Sequence, residues 1–61
     1  MAQALFKIPK GTPVPFTFDM NIGRERYVIE FPDRDPVTVI DDTEDNRLHD
    51  YLRRDNRIEE V

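Results

Sequence analysis

Two runs of alternating apolar residues that meet at a glycine constrain this chain more than any other feature of it. In "VPFTFDM", residues 14–20, Val14, Phe16, Phe18 and Met20 fall on alternate positions, with Thr17 and Asp19 between them. A period of two is that of a half-buried β-strand. "RERYVIEF" repeats it with Tyr27, Ile29 and Phe31, and "NIG" between the runs supplies a turn in which Gly23 tolerates positive φ. A loop of Ile22 and Gly23 pairs Met20 with Glu25, Phe18 with Tyr27, Phe16 with Ile29 and Val14 with Phe31. A three-residue loop would oppose Phe18 to Arg26 and Phe16 to Val28. Since a slip of one residue moves every side chain to the wrong side, the first register is the one expected. It also lays Thr17 beside Val28 and Asp19 opposite Arg26.

"PDRDP" then reads as a turn and "VTVI", residues 37–40, as a third strand. Pairing Phe31 with Val37 and Ile29 with Val39 keeps one face apolar, which predicts a three-stranded antiparallel meander. Pro15 cannot donate to a ladder, so the first strand is an edge. The cover for the apolar face comes from "DDTEDNRLHDYLRRD", where Leu48, Tyr51 and Leu52 form an i, i+3, i+4 stripe. Asp41 with Glu44 resembles a capping box, Asp42 and Thr43 being alternative caps. Acids at the start and Arg53 and Arg54 at the end suit the helix dipole, and Asp50 with Arg54 adds an i,i+4 pair. "RIEEV" continues as a short strand or tail. The expected class is α+β, with a core of Phe16, Phe18, Tyr27, Ile29, Phe31, Val37, Val39, Leu48 and Leu52.

The start of the chain stands apart. Leu5, Phe6 and Ile8 are apolar, and Gly11 with two prolines follows, so residues 1–13 read as an arm and hinge before a domain over 14–61. Such an arm either folds back as a fourth strand or reaches a neighbouring subunit by strand addition or exchange. The second route matters because the 61-residue chain is small. A chain of this size buries only about 60% of its unfolded surface. Small scaffolds commonly add disulfides, a metal or association. There is no cysteine, which leaves association and fits a reducing compartment.

The opening acids also invite a chemical reading. Asp45 and His49 are spaced i,i+4 and would share a helix face, with Asp41 or Asp42 near enough to join a metal. No second histidine and no cysteine completes such a set, and a calcium loop needs a glycine that this stretch lacks. Serine is absent as well as cysteine, and with glycines only at 11 and 23 there is no phosphate-cradling loop. The expectation is a non-enzyme without cofactor or metal.

Net charge is −4, with thirteen acids against nine bases, which disfavours the counterion-releasing contacts of nucleic-acid binding. Seven of the bases are arginine, a residue suited to paired contacts at protein interfaces. No segment has the ~20 apolar residues of a membrane span, and "MAQALFKIP" lacks the basic region of a secretory signal, so the expected place is the cytoplasm. Protein is the expected partner, either a second copy or a larger subunit. The residues expected to meet it are Leu5, Phe6 and Ile8 of the arm, the outward row Thr17, Val28 and Ile40, and the helix arginines Arg53 and Arg54.

Residues 37–61, under half of the chain, carry a further pattern in Val37, Val39, Leu48, Leu52 and the closing Ile58, Glu59, Glu60, Val61. A short strand, acidic residues, a helix with paired leucines and a hydrophobic–Glu–Glu–Val close resemble the ending of small tailed-bacteriophage structural and accessory proteins. The resemblance implies a virion or accessory protein that cements capsid or tail subunits, and it brings no catalytic residues. Two functions follow as expectations. The first is a structural or assembly protein that packs on itself or on larger subunits; the alternative is a small acidic inhibitor that blocks a host enzyme.

Overall fold

The computed structural model describes residues 2–61. In chain order it contains β1 (Ala2–Lys7), β2 (Phe16–Ile22), β3 (Glu25–Phe31), β4 (Val37–Asp41), a 3₁₀ turn (Glu44–Asn46), α1 (Arg47–Arg54) and β5 (Glu59–Glu60). This is an α+β domain in which the helix packs against a three-stranded sheet of order β4-β1-β5, while β2 and β3 form a separate hairpin.

The hairpin keeps the expected parity but shifts by two residues. Phe16 faces Phe31, Phe18 faces Ile29, Met20 faces Tyr27 and Ile22 faces Glu25. The loop is therefore Gly23 and Arg24, with Gly23 at φ 63 and Arg24 outside the left-handed region. Positive φ at the first central residue alone is the sign pattern of a type II′ turn, which matches strand twist and places glycine where only glycine is relaxed. A loop of Ile22 and Gly23 would instead have put a β-branched side chain at that position.

The meander does not form. β4 pairs with β1, with Ala2 opposite Asp41, Ala4 opposite Val39 and Phe6 opposite Val37, and no ladder joins it to β3. The reason is area. A continuous five-stranded sheet would be roughly 24 Å wide at 4.8 Å per strand. An eight-residue helix is only about 12 Å long, and α1 buries just Leu48, His49 and Leu52. Splitting the sheet lets the hairpin and the three strands cover one another around a single core.

That core is Phe6, Ile8, Phe18, Phe31, Val39, Leu48, Leu52 and Ile58, with Phe16, Tyr27, Ile29 and Val37 packed against it. Every residue expected in the core is in it or on its margin. Phe6, Ile8 and Ile58 join them, from segments that the sequence pattern had set apart as arm and tail. The arm folds back, and as the central strand of its sheet rather than a fourth strand at the edge of a meander. The hinge is tied down: Thr12 N–H donates to the Pro9 carbonyl at 3.1 Å, and Arg34 reaches from the β3–β4 connection to the carbonyls of Pro9 (2.7 Å) and Thr12 (2.8 Å).

Candidate functional site

The acidic stretch that suggested chemistry builds a helix start. Asp41 is 1% exposed at the end of β4. Its Oδ1 accepts the Thr43 N–H at 2.8 Å and the Thr43 hydroxyl proton. Its Oδ2 accepts the N–H of His49, the third residue of α1, at 2.9 Å. The Thr43 hydroxyl oxygen in turn accepts the Leu48 N–H at 3.3 Å. The capping box of Asp41 with Glu44 is absent; Asp41 bypasses Glu44 and caps α1 from eight residues upstream. Asp45 (φ 60) and Asn46 (φ 53) sit in the left-handed region, which delays the helix to Arg47 and leaves Asn46 without a side-chain capping bond. Asp and Asn are the non-glycine residues that adopt this conformation most readily.

Burial by itself would push the Asp41 carboxyl up. The hydrogen bonds from the Thr43 hydroxyl and from the His49 and Thr43 amides outweigh it and hold the group below the usual aspartate value. His49, 2% exposed, donates from Nε2 to the Val39 carbonyl at 2.9 Å, a role that fixes the proton on Nε2 because a carbonyl can only accept. Its Nδ1 lies 3.9 Å from Asp41 Oδ2, and its ring tilts against Phe6 at 5.5 Å between centroids. His49 is therefore turned into the domain, and Asp45 stands in the turn before α1, so the two do not share a helix face. Among the described residues no group of three or more His, Asp or Glu side chains is arranged to hold a metal. The same residues contain no helix long and apolar enough to cross a membrane.

The open surface lies on the opposite side of the sheet from α1. Alternation turns Ala4, Phe6, Val37 and Val39 inward, so Gln3, Leu5, Thr38 and Ile40 face out, with Gln3 opposite Ile40 and Leu5 opposite Thr38. Val61 extends the row, its N–H donating to the Leu5 carbonyl at 2.9 Å. Leu5 is 43% exposed, Ile40 53% and Val61 63%, and a shallow hollow runs between Gln3, Leu5, Thr38 and Val61. No element of the described chain covers this face.

A second concavity runs along the seam of the two sheets. Residues 27–30 of β3 and 37–40 of β4 wall a cleft of about 300 Å³ with Leu48 at its floor. At one end Tyr27 Oη donates to Asp42 Oδ1 at 3.2 Å; burial, with this carboxylate beside it, pushes the phenol up. The other end is the connection through residues 32–36, where Asp33 Oδ1 accepts the Asp35 N–H at 2.9 Å. Glu30 is the one charged residue in the lining.

The expected interface residues divide accordingly. Leu5 is on the open face; Phe6 (0% exposed) and Ile8 (1%) are buried inside. Val28 and Ile40 both line the cleft, on opposite walls. Thr17 is exposed but lies opposite Glu30, because the two-residue shift puts Asp19 rather than Thr17 across from Val28. Arg26 still reaches Asp19 diagonally through two hydrogen bonds, which hold that carboxyl below its ordinary value. Arg53 is tied to Glu60 at 2.8 and 3.2 Å and approaches Asp50 at 3.6 Å. Arg54 is exposed beside Arg47, Asp50 and Tyr51 and makes no ion pair with Asp50. Val61 is the surface residue that sequence reasoning missed; its signal was an apolar residue two positions after Glu59, in step with a continuing strand.

A comparison of this chain with protein-family models, with curated proteins and with solved structures finds no match.

Proposed function

We propose that this chain is a non-enzymatic assembly domain that packs on protein, either a second copy or a larger structural subunit, through the outer face of its three-stranded sheet. The observation that carries the reading is the row of Leu5, Ile40 and Val61, exposed together on one regular sheet face that no element of the described chain covers. A contiguous apolar patch on a small domain marks an interaction surface more often than scattered exposed residues do. The likeness of residues 37–61 to small tailed-phage proteins favours a capsid or tail subunit as the larger partner and the virion as the place; a free form belongs in the cytoplasm.

Light scattering on a size-exclusion column, from low to high micromolar concentration, tests the reading. A defined oligomer that Leu5→Lys and Val61→Lys return to monomer supports packing through this face. A wild type and variants that behave alike, in mass and in retention of any larger partner, remove it. The alternative, a small acidic inhibitor, draws on Asp33, Asp35 and Glu44, which are exposed and outside every ion pair among the described residues. It requires a monomer whose effect is lost when these acids are reversed in charge.

A further inference from the structure

We infer that the cleft between β3 and β4 is a receiving slot for one extended, cationic strand of a partner protein, hydrogen-bonded along both of its edges. The inference rests on reading the chain as a protein-binding module and adds the conformation and charge of what is bound.

The backbone directions can be worked out on both sides of the cleft. In the hairpin, Ile22 and Glu25 flank a two-residue loop and so exchange both hydrogen bonds. Alternation from that pair turns the amides and carbonyls of Tyr27, Ile29 and Phe31 toward β2, and those of Arg26, Val28 and Glu30 away from it. In the other sheet, the bond from Val61 N–H to the Leu5 carbonyl directs Leu5 toward β5. Ala4 and Phe6 therefore point toward β4 and meet Val39 and Val37, which leaves the amides and carbonyls of Thr38 and Ile40 on the far edge. Val28 and Glu30 on one strand and Thr38 and Ile40 on the other thus present their backbone groups to the same cleft.

Open strand edges are ordinarily blunted by lysine, proline or a bulge. The other two edges here are protected: β2 follows Pro15 and has Arg57 over Phe16 at 4.9 Å, and β5 is only two residues long. The cleft is bounded by Pro32 and Pro36 at the connection. Between them and its far end, residues 27–30 and 37–40 carry no lysine or proline and pair without a bulge. An edge groove with alternating pockets is the geometry of strand addition. The floor of Ile29, Val39 and Leu48 asks for apolar side chains on the inward positions of the guest. On the outward positions Glu30, in no ion pair among the described residues, in a chain of net charge −4, selects a cation.

The test is a titration of the ¹⁵N-labelled full chain with the peptide acetyl-Val-Lys-Val-Lys-Val-amide, read by amide hydrogen exchange. Exchange is expected to slow at Val28, Glu30, Thr38 and Ile40, while the already paired Ala4 and Tyr27 stay unchanged. A Val-Glu-Val-Glu-Val peptide should bind about two- to fivefold more weakly, the span of one exposed ion pair, and Glu30→Lys should reverse that order. The inference is overturned if no peptide binds while the spectrum is that of a folded chain. It is equally overturned if binding leaves the four amides unchanged, or if an alternately N-methylated peptide binds as well. Concentration-dependent protection of these amides without peptide would make a second copy the occupant and overturn the choice of partner. Leu5→Lys and Val61→Lys lie outside the cleft, so peptide binding by that variant separates failure of the outer face from failure of the slot.

Discussion

The Asp41 carboxylate accepts the backbone N–H of His49 at 2.9 Å across eight residues of sequence, joining the end of β4 to the first turn of α1. This bond and those from Thr43 satisfy three donors with one buried side chain. Leaving buried donors unpaired costs about 1–3 kcal/mol each, with partial relief by water. Asp41→Ala should therefore lower unfolding free energy by roughly 2–4 kcal/mol in urea denaturation, a large share of the ~3–9 kcal/mol typical of a chain this size. Asp41→Asn keeps one acceptor oxygen and should cost about half as much.

The same carboxylate gives stability a defined acid limb. Its folded value lies below the ordinary one, the hydrogen bonds from Thr43 and His49 prevailing over burial. The unfolded chain then binds the proton more tightly, and the contribution is complete above the unfolded aspartate value of about 4. It is lost as pH falls through the lower folded value. Urea midpoints measured from neutral pH down to about pH 2 should drop less steeply below pH 4 in Asp41→Asn than in the parent. Equal slopes would assign the acid limb to the exposed pairs of Asp19, Asp55 and Glu60.

Phe6 has no exposed surface, although it lies in the segment that reads as a detachable arm. Truncating a buried phenylalanine costs about 3–5 kcal/mol. Phe6→Ala should leave the chain largely unfolded by circular dichroism, and removing residues 1–12 should do the same. Phe6→Leu, closer in volume, should cost less than about 2 kcal/mol and stay folded.

Asn46 tests the left-handed entry to the helix. An alanine at φ 53 meets the Cβ–carbonyl clash that glycine avoids, so Asn46→Ala should be less stable than Asn46→Gly by about 1 kcal/mol. At Arg47, the first residue of the helix with φ −62, the order should reverse, with alanine above glycine by up to about 1 kcal/mol. Thermal melts of the four variants decide it.

How much of this was legible in the sequence follows from what kind of information each feature carries. The period of two at Phe16, Phe18, Tyr27 and Ile29 fixed which side of the hairpin is buried, because parity is a local property. The exact register was not legible to the same degree, since a shift of two residues keeps parity and only the turn type distinguishes the alternatives. Strand order was hidden altogether. Val37 and Val39 suit β1 or β3 equally well, and the choice depends on how much apolar area one short helix can cover. The interface residues share that fate: Leu5 and Phe6 are neighbours with similar character, and only the direction of β1 sends one outward and the other into the core. The sequence could dismiss His49 as a ligand for want of companions, but it could not say where the ring goes. Its partners, the Val39 carbonyl and the Phe6 ring, come from strands that local pattern does not connect to it.

The placement of β1 between β4 and β5 has a consequence for how the molecule comes into being. Both partners of β1 are made well after it: Phe6 lies opposite Val37 on one side and Glu60 on the other. The hydrophobic face of β1 must therefore wait, unpaired, until β4 has been made, and its other edge until β5 has. Loops of that span close slowly, and folds dominated by such distant pairings sit at the slow end of the range for their size. During that interval the segment "AQALFK" is the part of the molecule most in need of a chaperone, and a chain stalled before Val37 would display it with neither partner strand made.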